Sequence, residues 1–150
     1  MKRSISLILA LILAFLSLPT NSIASQNTVD TILFDDGSYI LIEITSIDTR
    51  ALSTKTASKQ YTYYSNSGDE EWRAVLTGTF TYDGTTSSCT GSSCSITITN
   101  TSWYEVSKAT GISGNTATVD IVMGRKFLGI TVSKRELSLS LTCDKDGNLS

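Results

Sequence analysis

Alternation of apolar and polar residues over residues 72–84 predicts a β-strand with one buried face. In the segment WRAVLTGTFTYDG, one face carries Trp72, Ala74, Leu76, Phe80 and Tyr82. The other face carries Arg73 and three threonines, so the segment has the period of two that is typical of a half-buried strand. The dipeptide Asp83-Gly84 follows and favours a tight turn, because both residues tolerate a positive φ. We therefore expect the chain to reverse there and pair with itself.

The same kind of pattern recurs along the chain. Alternating or apolar segments occupy residues 28–47, 60–64, 94–99, 115–123, 125–135 and 137–143, and no window of a dozen residues after residue 24 shows a sustained helical period. Residues 48–59 are small, polar and basic and predict a linker, and the serine-rich residues 87–93 predict a loop. These segments indicate an all-β fold. Two sets of apolar faces that can close on one another favour an immunoglobulin-like antiparallel β-sandwich over a barrel.

The N-terminus has the pattern of a secretory signal peptide. Lys2 and Arg3 precede an apolar run over residues 5–18, and Pro19 and small residues follow and place the cleavage site after Ala24. A retained membrane anchor is the weaker interpretation, because spanning a bilayer takes roughly 20 apolar residues. We therefore expect a signal peptide at 1–24, an N-terminal hairpin and linker at 25–58, and a β-sandwich domain at 59–150. The protein is predicted to be secreted, with no stable membrane insertion after cleavage.

Composition argues against several classes of function. The chain has 12 basic and 14 acidic side chains, a net charge of −2 and no histidine. Signal removal takes away Lys2 and Arg3, so the mature chain is more acidic, and we expect no nucleic-acid partner. Without histidine, and without a base beside any serine, we expect no enzymatic activity and no cofactor. The acidic run over residues 69–71 is a candidate carboxylate pair, but solvated turn residues are the favoured interpretation.

Three cysteines in an exported chain allow one disulfide and leave one thiol over. Cys89 with Cys94 would close a short loop, Cys94 with Cys143 would join two inward strand positions, and Cys89 with Cys143 would close a long loop. The difference in chain entropy between these pairings is too small to decide among them. A zinc site is disfavoured, because three thiols without histidine do not complete a tetrahedral shell.

The segment Asp144-Lys145-Asp146-Gly147-Asn148 is similar to the start of a calcium-binding loop. Its glycine comes two residues early for an EF-hand, and no glutamate follows to complete the shell. We therefore favour a polar turn and expect no metal site.

Two surfaces are candidates for binding. Exposed aromatic residues could stack on sugar rings; Tyr64 and Tyr104 are the better candidates, whereas Trp72 shares a face with Leu76 and is expected in the core. Residues 125–135 combine apolar and basic side chains and could form a hairpin tip that contacts an anionic envelope or a partner. From this stretch we select Arg125, Lys126, Phe127 and Lys134.

Several segments together resemble a family of small secreted β-proteins of Gram-positive gut bacteria, a domain of unknown function. The segments are YTYYSNSGDEEW, LTGTFTYDG with the following Cys89, SWYEVSK, SGNTAT and LTCDKDGNLS. The resemblance implies export and a β fold, and it implies no activity. It also implies a disulfide between Cys89 and Cys143, with Cys94 as the alternative partner.

Two functions remain as hypotheses. The first is a secreted non-catalytic module that binds a glycan, an envelope component or another protein through its surface. The alternative is a self-associating structural or bacteriocin-like secreted protein, a possible homo-oligomer in which the N-terminal hairpin adds to a neighbour's sheet.

Overall fold

The computed structural model describes residues 28–49 and 53–150, and the described chain is all-β, without a helix. The eight strands are β1 (Thr28–Leu33), β2 (Tyr39–Thr49), β3 (Thr54–Tyr64), β4 (Glu70–Tyr82), β5 (Ser87–Ile98), β6 (Trp103–Ser113), β7 (Thr116–Phe127) and β8 (Ile130–Thr142). The predicted signal peptide, residues 1–24, lies outside the described residues. In the part of the chain that is described, no helix is long and apolar enough to cross a membrane.

The strands form two antiparallel sheets in the order β1-β2-β3-β4-β5 and β6-β7-β8. Within each sheet, strands that are consecutive in sequence pair with each other. The predicted reversal at Asp83-Gly84 is confirmed, with Gly84 at a φ of 82° between β4 and β5. The chain passes from one sheet to the other once, between β5 and β6. This order differs from the expected immunoglobulin arrangement, in which strands pass between sheets several times.

The inner faces of the two sheets meet in one apolar core. The fully buried side chains include Trp72, Leu76 and Phe80 from β4, Val119, Ile121 and Met123 from β7, and Leu141 from β8. Gly78 on β4 lies so close to β7 that an added Cβ would stand 3.2 Å from the Cβ of Ala117. The predicted inward face of residues 72–80 is therefore confirmed, and Trp72 is a core residue.

Residues 54–59, expected in a linker, are the first part of strand β3. The inward positions there are Lys55 and Ala57, and both are buried. Lys55 tolerates this because its Nζ donates a hydrogen bond to the carbonyl oxygen of Gly147 at 2.7 Å. Since neither side chain is strongly apolar, the sequence showed no alternation. The expected boundary at 58/59 thus falls inside a continuous strand, and the β1–β2 hairpin belongs to the same sheet as β3 to β5.

The expected loop at 87–93 is also a strand, the first half of β5. It lies at the edge of the five-stranded sheet and is rich in serine, so only Cys89 in it is buried. Edge strands have one solvated side and need fewer apolar residues, which explains why the pattern predicted a loop.

The antiparallel order places alternate connections at the same end of the molecule. The β1–β2, β3–β4, β5–β6 and β7–β8 connections lie at one end, which we call the loop end. The N–H of Lys126, near the end of β7, donates a hydrogen bond to the carbonyl oxygen of Ser102 in the β5–β6 connection at 2.8 Å. The β4–β5 and β6–β7 connections and residues 143–150 lie at the opposite end.

Candidate binding surface

The β7–β8 connection is a two-residue hairpin turn at the loop end. Phe127 pairs with Ile130, and Leu128 and Gly129 stand between them with φ values of 51° and 81°. Positive φ at both central residues is the geometry of a type I′ turn, which matches the twist of the flanking strands. The hairpin is therefore a regular element, and its turn directs its side chains outward from the sandwich.

Four large apolar side chains at this turn are exposed, and we call them the tip. The exposed fractions are 66% for Phe127, 87% for Leu128, 70% for Ile130 and 57% for Val132. The pairing of β6 with β7 ends at Trp103 and Arg125, so the last residues of the hairpin extend beyond the third strand of their sheet. The fold thus leaves four large apolar side chains, close together in sequence, exposed to water.

Basic side chains surround the tip. Arg125, Lys126 and Lys134 are exposed, and residues 125–135 contain no acidic residue. Arg125 lies on the inward side of the hairpin, whereas Lys126 and Lys134 lie on the outward side. The predicted grouping of Arg125, Lys126, Phe127 and Lys134 on one hairpin is what the structure shows.

Tyr104 lies beside the tip and helps to position Lys126. Its hydroxyl is 2.7 Å from the hydroxyl of Thr131, and the Nζ of Lys126 is 4.4 Å from the centre of its ring. The ring lies flat over Gly124, where an added Cβ would stand 2.5 Å from it. One ring face is therefore covered by the backbone of β7.

Tyr64 is not part of this surface. It lies on the outer face of the five-stranded sheet and stacks on Tyr39, with ring centres 4.9 Å apart. Partial burial raises the pKa of Tyr64, and the nearby carboxylate of Glu70 adds to the effect. Tyr64 and Tyr104 belong to different sheets and cannot form one stacking platform. Three further aromatic residues, Tyr61, Tyr63 and Trp103, are buried and do not contribute to a stacking surface.

A polar cleft of about 140 Å³ opens next to the hairpin, on the side of Arg125. Its lining includes Asp36, Asn66, Glu71 and Trp103. Glu71 is 5% exposed and accepts a hydrogen bond from the indole N–H of Trp103 at 2.9 Å. The sequence predicted a solvated Glu71, and that prediction is wrong. The β3–β4 register shifts between Tyr63 and Tyr64, and this irregularity, which alternation cannot reveal, accompanies the burial of Glu71.

The two carboxylates of the cleft are held as hydrogen-bond acceptors. Hydrogen bonds from the hydroxyl and N–H of Ser38 lower the pKa of Asp36, and Arg135 lowers it further. Asp36 is therefore ionised at neutral pH. One carboxylate oxygen of Glu71 already accepts the hydrogen bond from the indole N–H of Trp103. This arrangement can bind hydrogen-bond donors. General acid catalysis by Asp36 would instead need its pKa to be raised.

Cys89 and Cys143 lie on either side of the β6–β7 turn. The N–H of Cys89 donates to the carbonyl oxygen of Gly114 at 2.9 Å, and the N–H of Cys143 donates to that of Asn115 at 3.2 Å. Both side chains are buried, whereas Cys94 is half-buried and lies opposite Leu76. The structure contains no disulfide among the described residues. The pairing of Cys89 with Cys143 stays a prediction.

Residues 144–148 form a polar turn. The carboxylate of Asp144 accepts hydrogen bonds from the N–H groups of Asp146 and Asn148, at 2.9 and 2.8 Å, and from the side-chain amide of Asn148. These bonds, those from Asn148 first, lower the pKa of Asp144. Within residues 28–49 and 53–150, no three His, Cys, Asp or Glu side chains are grouped as metal ligands would be.

No protein-family model matches this chain, and no curated protein or solved structure is significantly similar to it.

Proposed function

We propose that this protein is an exported, non-catalytic binding module that acts by surface contact, with the tip and its basic residues as the contact surface. The observation that carries the proposal is the exposure of Phe127, Leu128, Ile130 and Val132 on a regular hairpin. Apolar surface of this kind lowers the free energy of a complex when a partner covers it, and contributes nothing to the fold when it stays in water.

The arrangement of the surface favours an anionic envelope component or protein over a glycan. Basic residues on both sides of the tip attract a negatively charged partner. Sugar recognition by stacking would need exposed, coplanar rings on one surface, and Tyr64 and Tyr104 lie on different sheets. Absence of histidine from the chain and the lowered pKa of Asp36 support a role without acid–base catalysis.

A binding experiment on envelope fractions tests the proposal. The mature chain, starting at Ser25, is incubated with cell-wall and membrane fractions of a Gram-positive bacterium and with a glycan array. We expect retention on an envelope fraction, and we expect Leu128→Asn to reduce it while Ile112→Thr, at a residue 50% exposed on β6 at the opposite end, does not. Retention that is the same for both variants, or binding to the glycan array alone, would contradict the tip as the contact surface.

A second candidate function is self-association through β1. This strand pairs with β2 and, within the described residues, has no partner on its other edge. Val29 and Leu33 on it are 60% and 73% exposed. An exposed apolar edge strand can pair with another copy by strand addition. Light scattering after size exclusion tests this function: a mature chain that stays monomeric as its concentration rises excludes it.

A further inference from the structure

We infer that the partner of the tip is an anionic lipid bilayer, into whose interface the β7–β8 hairpin inserts Phe127, Leu128 and Ile130. This inference rests on the proposed function and names its partner class. It depends on two features of the hairpin, the residue at its turn and the position of its basic side chains along the strands. It also depends on the charge of the rest of the chain.

Leucine at position 128 is unfavourable for the turn that it occupies. A type I′ turn prefers Asn-Gly, because asparagine and glycine accept positive φ at low cost. Leu128 has a φ of 51° and is 87% exposed, so it carries backbone strain and gains no compensating burial. Unfavourable residues at exposed positions are typical of functional sites, where the gain comes from contact with a ligand.

The charges lie where lipid headgroups would be. A strand rises about 3.3 Å per residue, so Lys126 and Arg125 stand about 7 and 10 Å behind Leu128 along the hairpin. Peripheral segments place their apolar side chains about 5–10 Å into the headgroup and acyl boundary. With the tip at this depth, both basic groups are level with the phosphates. Lys134, further back on the outward side, faces the surface of the bilayer.

Charge distribution orients the molecule on the membrane. The chain as a whole is acidic, with a net charge of −2, whereas residues 125–135 contain basic and no acidic side chains. Asp35 and Asp69 are exposed at the loop end, but they lie on turns of the five-stranded sheet. An anionic surface repels that sheet and attracts the β7–β8 hairpin, so the hairpin enters first.

Vesicle binding tests the inference. The mature chain is mixed with vesicles of phosphatidylcholine alone or of phosphatidylcholine with phosphatidylglycerol, and bound protein is separated by sedimentation. We expect binding to the anionic vesicles, weakened about tenfold by Leu128→Asn, which loses the burial of one large apolar side chain. Lys126→Gln and Lys134→Gln each weaken it about fivefold, and less at high salt. The controls Ile112→Thr and Lys145→Gln, both at the end of the molecule opposite the tip, leave it unchanged.

Folding does not limit this test. Asparagine suits position 128 better than leucine, so a loss of binding by Leu128→Asn is not a loss of structure. As a second readout, Phe127→Trp should give blue-shifted emission on anionic vesicles and quenching by brominated lipid.

Each outcome separates this inference from the proposed function. Tip-dependent retention on an envelope fraction without vesicle binding overturns the lipid inference and leaves the binding module intact. Equal binding to vesicles and to soluble polyphosphate, unaffected by Leu128→Asn, shows a charge effect only and also overturns it. If Leu128→Asn changes neither vesicle nor envelope binding, the inference and the proposed function both fail.

Discussion

Arg135 on β8 and Asp36 in the β1–β2 turn form an ion pair that joins the two sheets at the loop end. The guanidinium carbon of Arg135 also lies 4.8 Å from the ring centre of Phe34 and 5.8 Å from that of Tyr63. Its Nε donates to the hydroxyl of Tyr63 at 3.4 Å. Arg135 therefore connects β8 to the turn and to β3 through both charge and packing.

Replacement of Arg135 should separate these two contributions. We expect Arg135→Ala to lower the free energy of unfolding by about 1–2 kcal/mol, because the contacts with two rings and the ion pair are lost together. Arg135→Lys keeps the charge and loses the planar group, so it should recover only part of the loss. Urea unfolding monitored by tryptophan fluorescence measures both variants. If lysine restores full stability, charge alone accounts for the role of Arg135.

Glutamine should be able to replace Glu71, whereas a residue whose side chain cannot accept a hydrogen bond should not. Glu71→Gln keeps an oxygen for the indole N–H of Trp103, so we expect a change of less than about 1 kcal/mol. Glu71→Ala leaves that buried N–H without its partner and should cost about 1–3 kcal/mol. Denaturant titrations of the two variants test this difference. Equal stability would show that water replaces the carboxylate in the cleft.

Gly78 and Gly124 should respond differently to the same substitution. A Cβ at Gly78 would lie 2.4 Å from the ring of Phe80 and 3.2 Å from the Cβ of Ala117, all inside the core. Gly78→Ala should therefore cost about 1–3 kcal/mol through overpacking. Gly124→Ala meets Tyr104, which is at the surface and can move, so its cost should be smaller. Thermal unfolding of both variants measures the two losses of stability. A larger loss for Gly124→Ala would show that the ring of Tyr104 cannot move aside.

Alternation of apolar and polar residues correctly predicted the strands whose inward residues are apolar. It missed the strand segments whose inward residues are polar or small. Trp72, Leu76 and Phe80 defined β4 from the sequence, and these residues are fully buried. The start of β3 was missed because Lys55 occupies an inward position and is satisfied by Gly147, a contact between residues 92 positions apart. No local pattern contains such a partner.

The candidate surface shows the same division. Arg125, Lys126, Phe127 and Lys134 were predicted together because they are close in sequence on one hairpin. Tyr64 was grouped with Tyr104 by composition, and the order of the sheets places them apart. The burial of Glu71 coincides with a register shift between β3 and β4. Sheet order and register both depend on long-range pairing, and the pattern of a single strand does not encode them.

Stability should decrease in acid, in part through Asp83. Its carboxylate accepts hydrogen bonds from the N–H groups of Thr86 and Thr85, at 2.7 and 2.9 Å, and these lower its pKa below the usual 3.8. A carboxyl group with a lowered pKa in the folded state stabilises the fold above its unfolded pKa, and this contribution is lost as the pH falls through the folded pKa. We therefore expect the melting temperature to decrease when the pH is lowered below about 4.

Asp83→Asn removes this titration and should make the acid decrease shallower, without abolishing it. The pKa values of Asp36 and Asp144 are lowered too, by hydrogen bonds from Ser38 and Asn148, so part of the slope remains. Melting temperatures of the two proteins, measured from about pH 6 to about pH 2, provide the comparison. Parallel curves would show that Asp83 does not contribute to the acid dependence.

Replacement of Leu128 should make the protein more stable and a weaker binder. Asparagine tolerates a φ of 51° better than leucine, because its short polar side chain can form local hydrogen bonds, and we expect Leu128→Asn to gain about 1 kcal/mol in the free energy of unfolding. Leu128→Ala removes a similar apolar area but keeps a Cβ at positive φ without the local hydrogen bonding of asparagine, so it should not stabilise. Thermal unfolding separates the two variants. Because both remove the apolar side chain, both should bind less at the tip, and only asparagine should raise the melting temperature. A loss of stability in Leu128→Asn would mean that the leucine side chain supports the turn, and its exposure would then need no ligand to explain it.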